Sequence, residues 1–313
     1  MSRASSKPAA DVPAPGEHKA DHSLKCVACG ASMDNHVKVR LVGGQLRACA
    51  VCKTWVYYPR PDQTEQSSIH DTPDYFEHPY FKLRRTLNPA QLRRCTQIFQ
   101  RIAGAIDLSG LRGRRMLDIG CDTGAFLLAA AQVTGVVPIG IDVNHKAVST
   151  AIGSGIEAYC GTLETAPAHL HDFPLITAID LIEHVSDPGA LLVAIRSRLC
   201  PGGLTYIETP NIRSTVYRIG RWLSILTAGH PAGLYKRLFP EQHIQYFTRE
   251  SLSTLVRSCG LEVVQLGERH LPFEDIAASN PVRAAMATMQ AIDRLSGERI
   301  LIWSVLRRPQ SLG

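Results

Sequence analysis

The chain has 313 residues, a length that suits one sizeable domain with an appendage or two small domains. Its 45% hydrophobic and 20% charged residues are ordinary for a soluble globular protein with a large core, and a net charge of +6 is mild. No run of about eighteen apolar residues occurs, and the first twenty-five residues are polar and Ala/Pro-rich, so neither a membrane span nor a secretory signal is expected and a cytoplasmic location is.

Residues 1–22, rich in Ala, Pro and Ser, are expected to be a disordered tail. Cys26-Val-Ala-Cys29 and Cys49-Ala-Val-Cys52 follow, nineteen residues apart. In a reducing compartment two CxxC pairs point to metal rather than to a disulfide scaffold. Residues 37–46 alternate around Gly43-Gly44 and read as a hairpin that brings the two pairs together. The expectation is a zinc ribbon over residues 23–60, with Cys26, Cys29, Cys49 and Cys52 as four thiolate ligands; a redox dithiol pair is the other reading. No histidine or carboxylate is interposed to leave an open position, so the zinc should be structural rather than catalytic.

Residues 61–114 read as a linker followed by a helix. The linker is broken by Pro61 and Pro73 and leads into an aromatic cluster of Tyr75, Phe76, Tyr80 and Phe81, which either packs or closes over a ligand. Asn88 as N-cap and Pro89 at the first helical position open the helix. Its apolar stripe is Leu92, Cys95, Phe99, Ile102 and Ile106, with Arg93, Arg94, Gln97, Gln100 and Arg101 on the other face. Between Lys82 and Arg115, nine Lys/Arg meet the single acid Asp107, which describes a solvated helix face or, more sharply, a site for an anionic substrate or nucleic acid.

Residues 115–145 read as strand, glycine turn, helix and second strand. The strand Met116, Leu117, Ile119 ends in a turn on Gly120 and Gly124, where backbone N–H groups can approach a ligand. The second strand, 136–141, ends in Asp142, a carboxylate about twenty residues beyond the turn and placed to accept both hydroxyls of a ribose. A dinucleotide site would need a second glycine where Asp122 stands, and a pyrophosphate would meet that carboxylate. Strand and helix then alternate. A short helix holds Ala147, Val148 and Ala151; a third strand covers 155–160; a fourth covers 175–182; Asp187-Pro188 starts a helix; residues 200–203 end it; and a fifth strand, 204–209, stops at Pro210. The last two strands fall at 261–266 and 300–306, with a helix around 284–295 between them. This predicts an α/β, doubly wound, mostly parallel Rossmann-like sheet of about seven strands over residues 115–313, preceded by the small ribbon.

Residues 211–246 interrupt the alternation. Val216, Ile219, Trp222, Leu223 and Leu226 form an apolar helical stripe between Arg213, Arg218 and Arg221, expected as a substrate lid over the carboxyl edge of the sheet, with a membrane-surface helix as the alternative.

The pattern Asp118-Ile-Gly120-x-x-x-Gly124 with an acid at Asp142 resembles the class I S-adenosylmethionine (SAM)-dependent methyltransferases. The segment FPLITAIDLIEHVSDPGALLVAIRSRLCPGGLTYIETPN is similar to the ubiquinone-pathway O-methyltransferase group, with its "EH…DP" after strand four and "L-x-PGG" before strand five; the segment from Phe247 to Leu252 matches its later helix start. The resemblance covers about residues 88–270. It implies a SAM site with the ribose on Asp142, the methionine end over Gly120 to Gly124 and the adenine near Thr162 and Leu163, with Asp118, Cys121, Asp122, Val143 and Asp180 completing it. Two positions depart from the family pattern. Asp122 replaces its middle glycine, and Thr162 stands where many relatives carry an aspartate toward the adenine amino group.

Methyl transfer to a hydroxyl needs an in-line acceptor about 3 Å from the methyl carbon and a base. His184, just beyond strand four, is the first candidate and His243 the second; a packing role for His184 is the plainer alternative. The expected reaction is O-methylation of a small or carrier-linked metabolite. No Asn-Pro-Pro-aromatic segment follows strand four, which weighs against nucleic-acid amino groups. Ribbon and basic helix still leave an RNA methyltransferase as runner-up, and Asp122 leaves a non-catalytic SAM-binding or zinc-ribbon adaptor as a third reading.

Overall fold

The computed structural model describes residues 25–33, 37–41, 44–62, 66, 85–227, 239–240, 242–271 and 280–310. The expected tail and the aromatic cluster of Tyr75, Phe76, Tyr80 and Phe81 lie outside the described residues.

Three short strands, β1 (Val37–Leu41), β2 (Gly44–Ala48) and β3 (Trp55–Tyr58), make an antiparallel ribbon with Leu41 opposite Gly44. Helix α1 (Pro89–Ile102) follows, its N-cap Asn88 accepting from the backbone N–H of Ala90 and Gln91. Then come β4 (Arg115–Ile119), α2 (Ala125–Thr134), β5 (Val137–Asp142), α3 (His145–Gly153), β6 (Glu157–Cys160), β7 (Phe173–Ile179), α4 (Pro188–Arg198) and β8 (Leu199–Pro210). The rest is α5 (Thr215–Thr227), β9 (Gln245–Tyr246), α6 (Arg249–Ser258), β10 (Glu262–Arg269), α7 (Asn280–Ser296) and β11 (Leu301–Arg307).

Seven strands form one sheet in the order β10-β11-β8-β7-β4-β5-β6. Those from β8 to β6 run parallel, and β11 is antiparallel to both its neighbours. Six of the seven residues of β7 are buried, as a central strand covered on both faces requires. The strand order reverses between β4 and β7, so the loops at their carboxyl ends part and open a crevice.

The ribbon does not stand apart. β3 pairs with β9, Trp55 opposite Tyr246 and Val56 opposite Gln245, completing a four-stranded sheet β1-β2-β3-β9. Cys26, Ala28, Met33, Cys49 and Val56 belong to the same buried cluster as Ile182, Leu191, Phe247 and Leu252. A ribbon this small buries little by itself, and sharing a core with the large sheet supplies the missing apolar contact.

Several local expectations are corrected. The fourth strand ends at Ile179 rather than 182, because Asp180 takes a left-handed backbone (φ +54) and turns the chain. Residues 200–203 do not end the preceding helix; it stops at Arg198, and they belong to β8, where the register against β7 slips between Phe173 and Leu175. In α1 the polar face is not wholly solvated, since Gln91 is buried and Arg94 is 11% exposed. The stripe expected on α5 coincides with its buried face only in part, at Val216 and at Leu223, which packs on the core. Thr215, Val216, Tyr217, Gly220 and Ser224 are buried, while Trp222 and Leu226 are exposed, because small residues let the helix approach α7 and β1 closely.

Candidate active site

The turn after β4 builds one wall of the site. Gly120 (φ +76) and Gly124 (φ +78) take left-handed conformations that favour glycine. Gly124 does not line the cleft; a Cβ there would run into the Ile156 side chain and press on Ala151, so its second role is to let the start of α2 pack closely on α3 and the segment entering β6. Asp122 also has positive φ (+48), and its carboxylate receives the Arg85 Nε at 2.9 and 2.7 Å. Thr123 Oγ1 in turn donates to the Arg85 carbonyl at 2.8 Å, so the segment before α1 is strapped to the turn.

Asp142 stands at the end of β5. Its Oδ2 accepts from the Asp122 N–H and its Oδ1 from the Asn144 N–H, both at 2.8 Å, which fixes the carboxylate at the mouth while each oxygen keeps a second lone pair. Burial pushes its pKa up to about 6. Asp118, beneath the turn, accepts from Thr177 Oγ1 at 2.6 Å and is pushed up to about 7 by burial.

These residues line a cleft of about 530 Å³ whose walls also include Val143, Thr162, Leu163, Asp180 and His184. Of the ten residues expected at a cofactor, nine line it, Gly124 being the exception. Of the two expected histidines, His184 lines it directly and His243 stands behind, the rings 4.6 Å apart in a T-shape. His184 Nδ1 is 2.9 Å from the Gln242 carbonyl, and the same carbonyl accepts from Gln66 Nε2 at 2.6 Å. Glu183, fully buried, accepts from Thr209 Oγ1 at 2.9 Å, and burial followed by the nearby Asp180 charge raises its pKa well above the usual carboxylate range.

Sequence reasoning missed Arg85, Gln66, Glu183 and the inward turn of Arg94. Arg94 donates to Asp180 at 3.1 Å and to Glu208 at 3.3 Å, and Arg269 meets Glu208 in a two-pronged contact of 2.7 and 2.5 Å. Burial alone would raise Glu208, but the two guanidiniums hold it well below the usual range. The excess of base over acid in residues 82–115 was the signal available: some of that charge had to find acids elsewhere in the chain.

At the ribbon, Cys26 and Cys52 Sγ are 3.4 Å apart and Cys29 and Cys49 Sγ 3.6 Å, with all four within 4.8 Å of one another and none in a disulfide. A tetrahedral shell with Zn–S near 2.3 Å sets sulfurs roughly 3.8 Å apart, so the four thiols fit a zinc ion. Gly30 (φ +71) and Lys53 (φ +65) make the left-handed bend that closes each knuckle.

A methyltransferase-domain family model matches residues 84–266, more than half of the chain. The chain belongs to the SAM-dependent methyltransferases. This methyltransferase is 30% identical over 198 residues to a "Ubiquinone biosynthesis O-methyltransferase" of Marinobacter nauticus, covering 59% of this chain and 75% of that one. It is 28% identical over 165 residues to the same-named protein of Aromatoleum aromaticum, covering 50% and 68%. Among solved structures it shares the fold of a Haemonchus contortus phosphoethanolamine N-methyltransferase in complex with SAM (TM-score 0.55, 16% identity, 78% of this chain and 60% of that one). It also shares the fold of the [4+2]-cyclase SpnF (TM-score 0.54, 17% identity, 80% and 97%), so the fold by itself does not name the acceptor. No helix among the described residues is long and apolar enough to cross a membrane.

Proposed function

We propose that this methyltransferase moves the SAM methyl group to a hydroxyl oxygen of a small or carrier-linked metabolite. The observation that carries the reading is the placement of His184 in the wall of the same cleft that Asp142 and Gly120 line, where the nucleoside and methionine of SAM would lie. In this reading the ribose hydroxyls donate to Asp142, the methionine end lies over the turn from Gly120, and the adenine sits near Thr162 and Leu163. The acceptor oxygen attacks the methyl carbon in line, the carbon–sulfur electron pair returns to sulfur as S-adenosylhomocysteine forms, and the hydroxyl proton leaves at the His184 end. The names of the relatives support oxygen as the acceptor atom. We further propose one zinc on Cys26, Cys29, Cys49 and Cys52, with a structural role.

The RNA alternative loses part of its motive, because Arg85 and Arg94, two of the basic residues behind it, are spent on Asp122, Asp180 and Glu208. The adaptor alternative rested on Asp122, whose charge Arg85 balances. The test is turnover with a panel of hydroxylated acceptors and radiolabelled SAM. His184→Ala should lower kcat at least tenfold while SAM affinity stays within about twofold. Full turnover in both His184→Ala and His243→Ala would instead point to a carbon, an acidic oxygen or a free amine as acceptor.

A further inference from the structure

We propose that Glu183, His184 and His243 form a second metal site, for a divalent ion of zinc-like coordination chemistry, in the acceptor-side wall of the cleft and separate from the cysteine cluster. One ligand atom from each of the three lies within 4.8 Å of the other two. Two histidines and a carboxylate are the donor set of zinc sites that keep a fourth position open.

The independent observation is on Glu183. This residue is 0% exposed, its Oε2 accepts from Thr209, and its Oε1 has no hydrogen-bond partner among the described residues. A carboxylate oxygen left dry without a donor is costly unless a proton or a cation meets it, and a cation held by the two neighbouring histidines does so while keeping the group ionised. His184 provides the second half of the argument. The Gln242 carbonyl can only accept, so the 2.9 Å contact puts the ring proton on Nδ1 and makes Nε2 the lone-pair nitrogen. Nε2 stands 4.0 Å from Glu183 Oε1. Zinc bonds to nitrogen and oxygen are about 2.0–2.2 Å, and a tetrahedral shell of such bonds sets its ligand atoms roughly 3.4 Å apart, so a bound ion draws these two about half an ångström closer.

Both ligands are held from behind as metal ligands commonly are, His184 by the Gln242 carbonyl and Glu183 by the Thr209 hydroxyl. His243 arrives from a segment whose register is set by the Ile244 N–H donating to the Glu183 carbonyl at 3.0 Å and by the β3–β9 pairing. The geometry thus joins ligands about sixty residues apart through backbone bonds rather than through loose side chains.

The role of the ion, though not its binding, rests on the O-methylation reading. An ion at this wall would bind and acidify an oxygen acceptor, and it would change the part of His184 from taking the proton to holding the metal, with the proton passing to water.

The experiment titrates metal-stripped full-length protein with Co²⁺ and follows the visible spectrum, where the cysteine cluster gives intense thiolate charge-transfer bands and a Glu/His₂ site gives only weak d–d bands. We expect one equivalent of each kind in the native chain. The weak-band equivalent should vanish in Glu183→Gln and in His243→Ala, while the thiolate equivalent and SAM affinity, the controls for folding, persist. Absence of the weak-band equivalent in native protein, or its survival in both variants, overturns the site. Turnover on hydroxyl acceptors is scored separately, so loss of the O-methylation reading would leave the metal count standing, and the reverse.

Discussion

Arg85 and Asp122 form an ion pair of 2.7 Å, with 9% of the arginine side chain and 35% of the aspartate side chain exposed. The acid sits in the middle of the turn between Gly120 and Gly124, and its partner comes from the segment before α1, 37 residues upstream. The pair therefore joins that segment to the turn on which SAM is proposed to lie. Removing only the arginine leaves a half-buried carboxylate facing the cofactor. We expect Arg85→Ala to weaken SAM binding about tenfold, or ~1.4 kcal/mol, and the double variant Arg85→Ala/Asp122→Gly to recover most of it, as calorimetry can show. Equal losses in the single and double variants would mean that the pair does not act on the cofactor.

Asp142 carries a pH prediction. Its pKa in the folded protein is raised to about 6 by burial, so between the ordinary aspartate value and about 6 the folded site holds a proton that the unfolded chain has released. Stability of the ligand-free protein from this group therefore declines as pH rises through that window. SAM binding moves the other way, because ribose hydroxyls need the ionised carboxylate as acceptor. The Kd should be nearly flat from pH 7 to 8 and roughly tenfold weaker at pH 5. A flat profile down to pH 5, or unchanged affinity in Asp142→Ala, would place the ribose elsewhere.

The cysteine cluster is tested by elemental analysis. Native protein should carry zinc in thiolate coordination, and Cys49→Ser should lose it along with a large part of thermal stability, since binding to such sites in isolated peptides reaches about 10–16 kcal/mol. A native protein without zinc, or with these thiols oxidised in pairs, would favour the dithiol reading.

Arg60 ties the ribbon to the part of the cleft wall that holds His184. Its guanidinium donates to the Ser186 carbonyl at 3.1 Å and to Gln245 Oε1 at 2.8 Å, and Gln245 Nε2 donates to the carbonyls of Ile182 (2.6 Å) and Val185 (2.8 Å) on either side of His184. Arg60→Ala should raise the acceptor KM by about fivefold or more with SAM affinity unchanged, because a shift of about 1 Å in a positioning element is enough for effects of this size. An equal loss of SAM affinity would show a global rather than a local effect.

The features legible in the sequence are those that a few adjacent residues determine through backbone conformation and periodicity. The Gly120 and Gly124 turn, the Asn88-Pro89 helix start, the order of strands and helices and the two CxxC knuckles are of this kind, and each is present, apart from the ends of the fourth strand and of the helix that begins at Pro188. Tertiary structure alone decided which distant groups meet. Side chains on one helix face are equivalent until a neighbour is present, so nothing local distinguishes the inward Arg94 from the exposed Arg93. The same holds for α5, whose buried face contains Gly220 and Ser224 because close approach to a partner outweighed the hydrophobic stripe. Pairing of β3 with β9 and the meeting of Glu183, His184 and His243 join segments far apart in the chain. Such contacts become favourable only after the intervening sheet has brought their ends together and met the entropy of closing those long loops.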